Sequence, residues 1–223
     1  MTKFGLKCLV KFLAVVISLL IHGATDRAAD RKEIRYALEM VRTELVKNAE
    51  DVRYIHEHLV QERKSAEYLL SHITGLDKCP ADSVSYHSEM IRADVPVTLS
   101  NDASDLLKAS SVSQMIGDRK LLMKIIRAYD TCEWIVSSQD RLTKERDSRF
   151  GLFINERSSF SPDGTIDIPG IIRTGAGMYT VKWITSKPEP SVLADVTEIQ
   201  DAIDGIDKYL SFKRLPVRKL KIL

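Results

Sequence analysis

From Ile34 onward the apolar residues of this chain fall on two interleaved seven-residue rows. One row holds Ile34, Val41, Ile55 and Leu69; the other holds Leu38, Leu45, Val52, Leu59, Ala66 and Ile73. Alternating steps of four and three keep one narrow stripe of a helix apolar, so the spacing predicts a long helix with a packing seam. No Pro or Gly interrupts residues 26–74, and Gly75 supplies a stop. Asn48 and Glu62 occupy seam positions. A polar group there costs stability unless it sets register, meets a matching group on a partner helix or stays partly exposed. The seam from Ile34, Leu38, Val41 and Leu45 through Asn48 to Val52, Ile55 and Leu59 suits self-association or one wall of an intramolecular bundle. The later helices favour the bundle.

Residues 76–100 carry Pro80 and Pro96 and no sustained period, which reads as a loop. A short helix is expected over about 103–116, capped by Ser100 or Asn101 and stopped by Gly117. Asp118 then caps a second long helix to about 150. Its stripe is Leu122, Ile125, Tyr129, Cys132 and Val136, flanked by Leu121, Ala128 and Ile135, and it thins into charged residues beyond Gln139. Residues 158–190 are rich in Pro and Gly and read as an irregular insertion. Within it the alternation from Met178 to Ile184 predicts one strand of a small hairpin near 174–184. A last helix is expected over about 192–210, with Val196, Ile199, Ile203 and Ile206 at the same spacing. The class is therefore mainly α, an elongated bundle spanning 25–212.

Ahead of the first helix lies an apolar run, Phe12 to Ile21, preceded by Lys3, Lys7 and Lys11. Ten residues are short against the ~20 that a membrane span needs, which favours a cleaved signal. The cleavage site points the other way. A cut after Ala24 puts His22 where a small residue is wanted. Counting from Phe4 to Ala24, with the lysines snorkelling, restores an adequate span. Residues 1–24 are thus expected to form an uncleaved signal anchor, with a secreted chain as the alternative. Arg27, Arg31, Lys32 and Arg35 follow the span and compete with the basic N-terminus for the inside. A very short basic N-terminus stays inside, so a cell-membrane, single-pass protein with its bulk outside the cytoplasm (periplasmic) is expected.

Composition narrows the classes further. An apolar content of 44% supports a packed core. A net charge of +2 argues against a dedicated nucleic-acid binder. Of three cysteines, Cys8 lies in the apolar leader, leaving Cys79 and Cys132 to pair in an oxidising compartment or to remain separate thiols.

Candidate chemistry is sparse. His56-Glu57-His58 would put its two imidazoles about 200° apart on a helix, so they cannot share one metal ion. His58 and Glu62 have ligand spacing, but no second pair supports them, and solvated polar faces are expected. Thr174-Gly175-Ala176-Gly177 lacks the strand, helix and Lys-Ser/Thr of a phosphate loop and reads as a turn. No Gly-x-Ser-x-Gly elbow occurs, and Cys132 reads as core. No catalytic, cofactor or metal residue is predicted, and no cofactor. The tail from residue 213 interleaves Lys213, Arg214, Arg218, Lys219 and Lys221 with aliphatics. It suits anionic lipid headgroups at about 1 kcal/mol per charge, or a solvated or helix-packed tail.

Two stretches, Asp30-Arg31-Lys32-Glu33 through Leu38 with Glu44-Leu45 and Asn48, and Ala103 to Tyr129, carry a resemblance. The second includes Asp105-Leu106-Leu107-Lys108-Ala109-Ser110, Met115-Ile116 and Leu121-Leu122. Together they resemble an uncharacterised family of bacterial single-pass membrane proteins, over about half the chain. That resemblance implies an N-terminal span and a helical extramembrane domain, and supplies no catalytic residues. The expectation is a membrane-tethered interaction or scaffold module without catalysis, its partner a second copy or another membrane protein. The alternative is an extracytoplasmic sensory or ligand-binding bundle that signals through a separate partner.

Overall fold

The structure, a computed structural model, describes the backbone at 3–95, 97–157 and 168–212, and side-chain surroundings at 28–95, 97–149, 170–175 and 177–212. The described residues are mainly helical and contain no strand. In chain order they form α1 (Lys3–Ser71), α2 (Ala81–Arg92), α3 (Asp102–Ala109), α4 (Val112–Met115), α5 (Arg119–Arg157), α6 (Ile168–Arg173), α7 (Gly175–Ser186), α8 (Pro190–Leu193) and α9 (Thr197–Leu210). Among the residues whose surroundings are described, from residue 28 onward, no helix is long and apolar enough to cross a membrane. The anchor expected over 1–24 lies outside the residues whose surroundings are described, as does the basic tail of Lys213, Arg214, Arg218, Lys219 and Lys221.

The seam of α1 is consumed by the chain itself. Ile34, Leu38, Val41, Leu45, Asn48, Val52, Ile55 and Leu59 are all buried, and so are Glu62, Ala66 and Leu69. The four-three spacing runs unbroken through both polar positions, and its members are buried within their own chain in each unit. On α5 the buried line is Leu121, Ile125, Ala128, Cys132 and Ile135, continuing through Gln139, Leu142 and Arg146. The stripe therefore does not thin after Gln139; its apolar members give way to polar ones.

Four expectations are corrected. Residues 81–92, read as loop, form α2, because Val84, Ser88 and Ile91 line one inward face and Pro80 precedes the first turn. The hairpin near 174–184 is helix α7. Its alternation coexists with a Thr174 hydroxyl that accepts from the Gly177 N–H at 3.2 Å, an N-cap that starts a helix. The insertion from residue 168 is likewise helical, while 158–167 lies outside the described residues. The last helix divides at Ala194 (φ −144°, ψ 59°), where the Asp195 carboxylate accepts from the Thr197 N–H at 2.8 Å and the Thr197 hydroxyl at 2.6 Å.

The chain forms two compact units. Unit 1 comprises Met1–Val46, Ser100–Tyr129 and Ile199–Leu223. Asp118 caps α5 as the sequence predicts, accepting from the Lys120 and Leu121 N–H groups at 2.9 and 3.1 Å. Asn101 makes no side-chain cap bond, while the Ser100 hydroxyl accepts from the Asp102 N–H at 3.4 Å. The Glu44 carboxylate of α1 supplies a second acceptor. It takes the Ala103 N–H at 3.1 Å, the Ser100 hydroxyl at 2.6 Å and the Tyr129 hydroxyl at 2.6 Å. An anion at a helix N-terminus is favoured by the unpaired N–H groups and the dipole. Glu44→Ala is expected to cost about 1–2 kcal/mol, the range of a lost cap, seen as a lower denaturant midpoint. A cost under a few tenths would mean that Glu44 does not hold α3.

Unit 2 comprises Lys47–Leu99 and Asp130–Glu198. One cluster of its core joins Ala66 and Leu69 of α1, Leu76 of the 3-10 turn Leu76–Lys78, Val84 and Ile91 of α2, Ile172 of α6, and Val181 and Ile184 of α7. Arg63 of α1 closes the far end of α7, donating to the carbonyls of Thr185 and Lys187 at 3.1 and 3.2 Å. Cys79 and Cys132 are separate thiols.

Candidate functional site

The polar members of both seams meet in unit 2. On α1, His58 and Glu62 stand four residues apart and share a face. On α5, Gln139, Thr143 and Arg146 continue the buried line at four- and three-residue steps. Ala93 and Val95 follow α2, and Lys187 follows α7. Together with Ile55, Leu59 and Leu142 these residues line a cavity of about 20 Å³. That is room for a single small species.

Charge in the lining is paired with care. Lys187 Nζ donates to both Glu62 oxygens at 2.9 and 3.0 Å, with side chains only 9% and 5% exposed. The same ammonium lies 4.6 Å from the centre of the Trp183 ring. Arg146, 6% exposed, donates to the Ala93 carbonyl at 2.8 Å, to Asp147 at 3.0 Å and to Asp94. Burial raises the cost of an unpaired charge, so each cation has a carboxylate partner. Two atoms remain without one: Nε2 of His58 and Nε2 of Gln139 are buried and lack a hydrogen-bond partner.

Burial holds the His58 imidazole below its ordinary value. Glu62 opposes that shift, Arg146 and Lys187 add to it, and Asp94 opposes it more weakly. His87, stacked on Tyr68 at 4.0 Å and bonded to Ser65 at 3.0 Å, is lowered by burial and by His72. Both residues therefore bind a proton more weakly in the folded chain than in the unfolded one. Their stabilisation is complete above the unfolded-state value of about 6.5 and is lost as pH falls below it. Stability should fall as pH drops below about 6.5, and His58→Asn should make that fall shallower. Melting curves across this range check it; an unchanged slope in the variant would remove His58 from the effect.

His56, Glu57 and His58 do not gather a metal. Among the described residues no three His, Cys, Asp or Glu side chains stand close enough to hold one. His58 departs from the fully solvated face expected of it: it lines the cavity and also borders an open groove of about 470 Å³ that it shares with Tyr54, His56, Glu57, Val60, Gln61 and Met90. Asn48 donates from Nδ2 towards Cys132 Sγ at 3.8 Å, a weak contact within the chain. The cavity is not legible in the sequence because the α5 stripe there thins into charged residues beyond Gln139. The signal was present in the uninterrupted step from Ile135 to Gln139, Leu142 and Arg146.

Comparison with known proteins adds no relative: no family model, no curated protein and no solved structure matches the chain.

Proposed function

We propose that the chain is a membrane-tethered helical interaction or scaffold module without catalysis of its own. The observation that carries this reading is the continuity of α1. The lysine-flanked apolar run Phe12 to Ile21 belongs to the same helix, Lys3–Ser71, whose seam the bundle buries. A helix that passes from an apolar run into a packed bundle suits a tether, in keeping with the resemblance to bacterial single-pass proteins. Because the seam is buried, partner contact falls to exposed side chains such as Tyr36, Tyr54, Trp134 and Tyr179. The tail residues Lys213, Arg214, Arg218, Lys219 and Lys221 would add contact with anionic headgroups.

Membrane fractionation with intact-mass analysis and protease accessibility of sealed cells tests the tether. Expected is a membrane-bound chain that retains residues 1–24 and is protected until the outer barrier is opened. A soluble chain starting near Thr25 would replace the tether with secretion. Asn48→Leu, judged by sedimentation, should leave the oligomeric state unchanged, since Asn48 is buried within its own chain. A changed state would return the seam to self-association.

A second reading, a ligand-binding bundle that signals through a partner, draws on the groove of Tyr54, His56 and Met90. Its 470 Å³ is of the size that small molecules occupy. A melting-temperature rise with a small molecule from an extract, lost in Met90→Trp, would favour it. No rise across a broad screen would count against it.

A further inference from the structure

Unit 1 fixes where the basic segment 213–223 starts. That segment follows α9, which runs back along α1. Arg42 of α1 holds the Asp207 carboxylate through Nε and, at 3.1 Å, through Nη2. One turn and a half further down α9, Arg35 donates from Nη2 to the Leu210 carbonyl at 3.0 Å. Ile206 and Tyr209 are buried, so the end of α9 is seated against its own unit. The chain therefore leaves α9 beside Arg35, on the side of the apolar run. From Ala24 to Arg35 the same helix rises about 16 Å, and the headgroup layer takes up about 5–8 Å of that, leaving a gap on the order of 10 Å. The segment 213–223 can extend to about 36 Å and so crosses it with chain to spare.

The competing uses of its charge are closed off. A segment packed on α9 would meet acids that are already engaged. Asp201 is paired with Lys124 at 3.6 Å, Asp204 accepts from Gln200 at 3.0 Å, and Asp207 belongs to Arg42. Glu198 stands at the opposite end of the helix. Along α1 below Arg35, Asp26, Asp30 and Glu33 are balanced by Arg27, Arg31 and Lys32. Free solvation suits the cations of 213–223 but not its Leu215, Val217, Leu220, Ile222 and Leu223. The segment contains no Asp or Glu. An anionic headgroup layer takes both kinds of residue, cations at the phosphates and aliphatics at the acyl boundary.

We propose that 213–223 lies on anionic lipid headgroups beside α1, delivered there by α9. The chain then holds the membrane at two points. This rests on the reading of α1 as a tether and adds the class of lipid that the tethered chain recognises.

The test uses the full chain reconstituted with vesicles of phosphatidylcholine alone or of phosphatidylcholine mixed with phosphatidylglycerol. Flotation with the neutral vesicles reads the tether, and amide hydrogen exchange of 213–223 reads the second contact. Expected is flotation with both, and exchange slowed about tenfold or more only where phosphatidylglycerol is present, with the slowing lost in high salt. The full chain carrying Lys213→Gln, Arg214→Gln, Arg218→Gln, Lys219→Gln and Lys221→Gln should float as before and lose the slowing. Equal exchange in the two kinds of vesicle, whether fast or slow, overturns the proposal and leaves the tether standing. Slowing that persists in the glutamine variant overturns it as well. A chain that does not float with phosphatidylcholine overturns the tether and the second contact together.

Discussion

Replacing Gly177 with alanine is expected to lower the melting temperature of unit 2 by about 10–20 °C, at the upper end of what overpacking costs, about 3 kcal/mol or more. Gly177 lies in the first turn of α7, where the helix crosses the end of α6. A Cβ there would overlap the Ile171 carbonyl oxygen and come within 2.9 Å of the Ile172 Cα. Both atoms are backbone, so no rotamer change relieves the overlap. The helices would have to separate, and Ile172, Val181 and Ile184 would leave the shared core with them. Gly175, two residues earlier, is the control. A Cβ at that position meets nothing within 4 Å, so Gly175→Ala should be neutral or stabilising by up to about 1 kcal/mol through helix propensity. Paired melts of the two variants settle the matter. Equal effects would mean that close approach of α6 and α7 is not what Gly177 provides.

Breaking the Glu62–Lys187 pair from one side is expected to cost about 3–5 kcal/mol, because the remaining charge stays buried alone. Lys187→Met and Glu62→Leu should each show this loss in urea unfolding. The double variant should recover most of it, to within about 1–2 kcal/mol of the parent, since neither charge is then left in the interior. Methionine keeps an apolar stem near the Trp183 ring, which the ammonium now faces at 4.6 Å. The non-additivity is the diagnostic quantity. Additive losses in the cycle would show that the two residues act separately and that the pair is not the unit of stability.

Much of the helical class was legible because it depends on neighbours three and four residues apart. The α1 seam runs on the same step from Ile34 to Leu69, including both polar positions, and Asp118 stands one residue before α5. Helix α2 was missed because its inward face holds only Val84, Ser88 and Ile91, with a serine in the middle. Helix α7 was misread because Met178 to Ile184 alternates as a strand would. Its Val181 and Ile184 are buried by the facing helices of unit 2, not by a sheet.

By itself, then, the sequence determined which segments carry a repeating apolar stripe, where α5 starts and that polar groups would interrupt the seam. Only the tertiary structure decided what those polar groups meet. Glu62 finds Lys187 across 125 residues, Glu44 caps a helix 59 residues away, and Arg146 reaches back 53 residues to Ala93. Local spacing fixes the face on which a side chain lies, but the partner on that face is chosen by the packing of distant elements. The polar cavity belongs to this second kind of information, because it exists only where α1, α5 and the ends of α2 and α7 converge within unit 2.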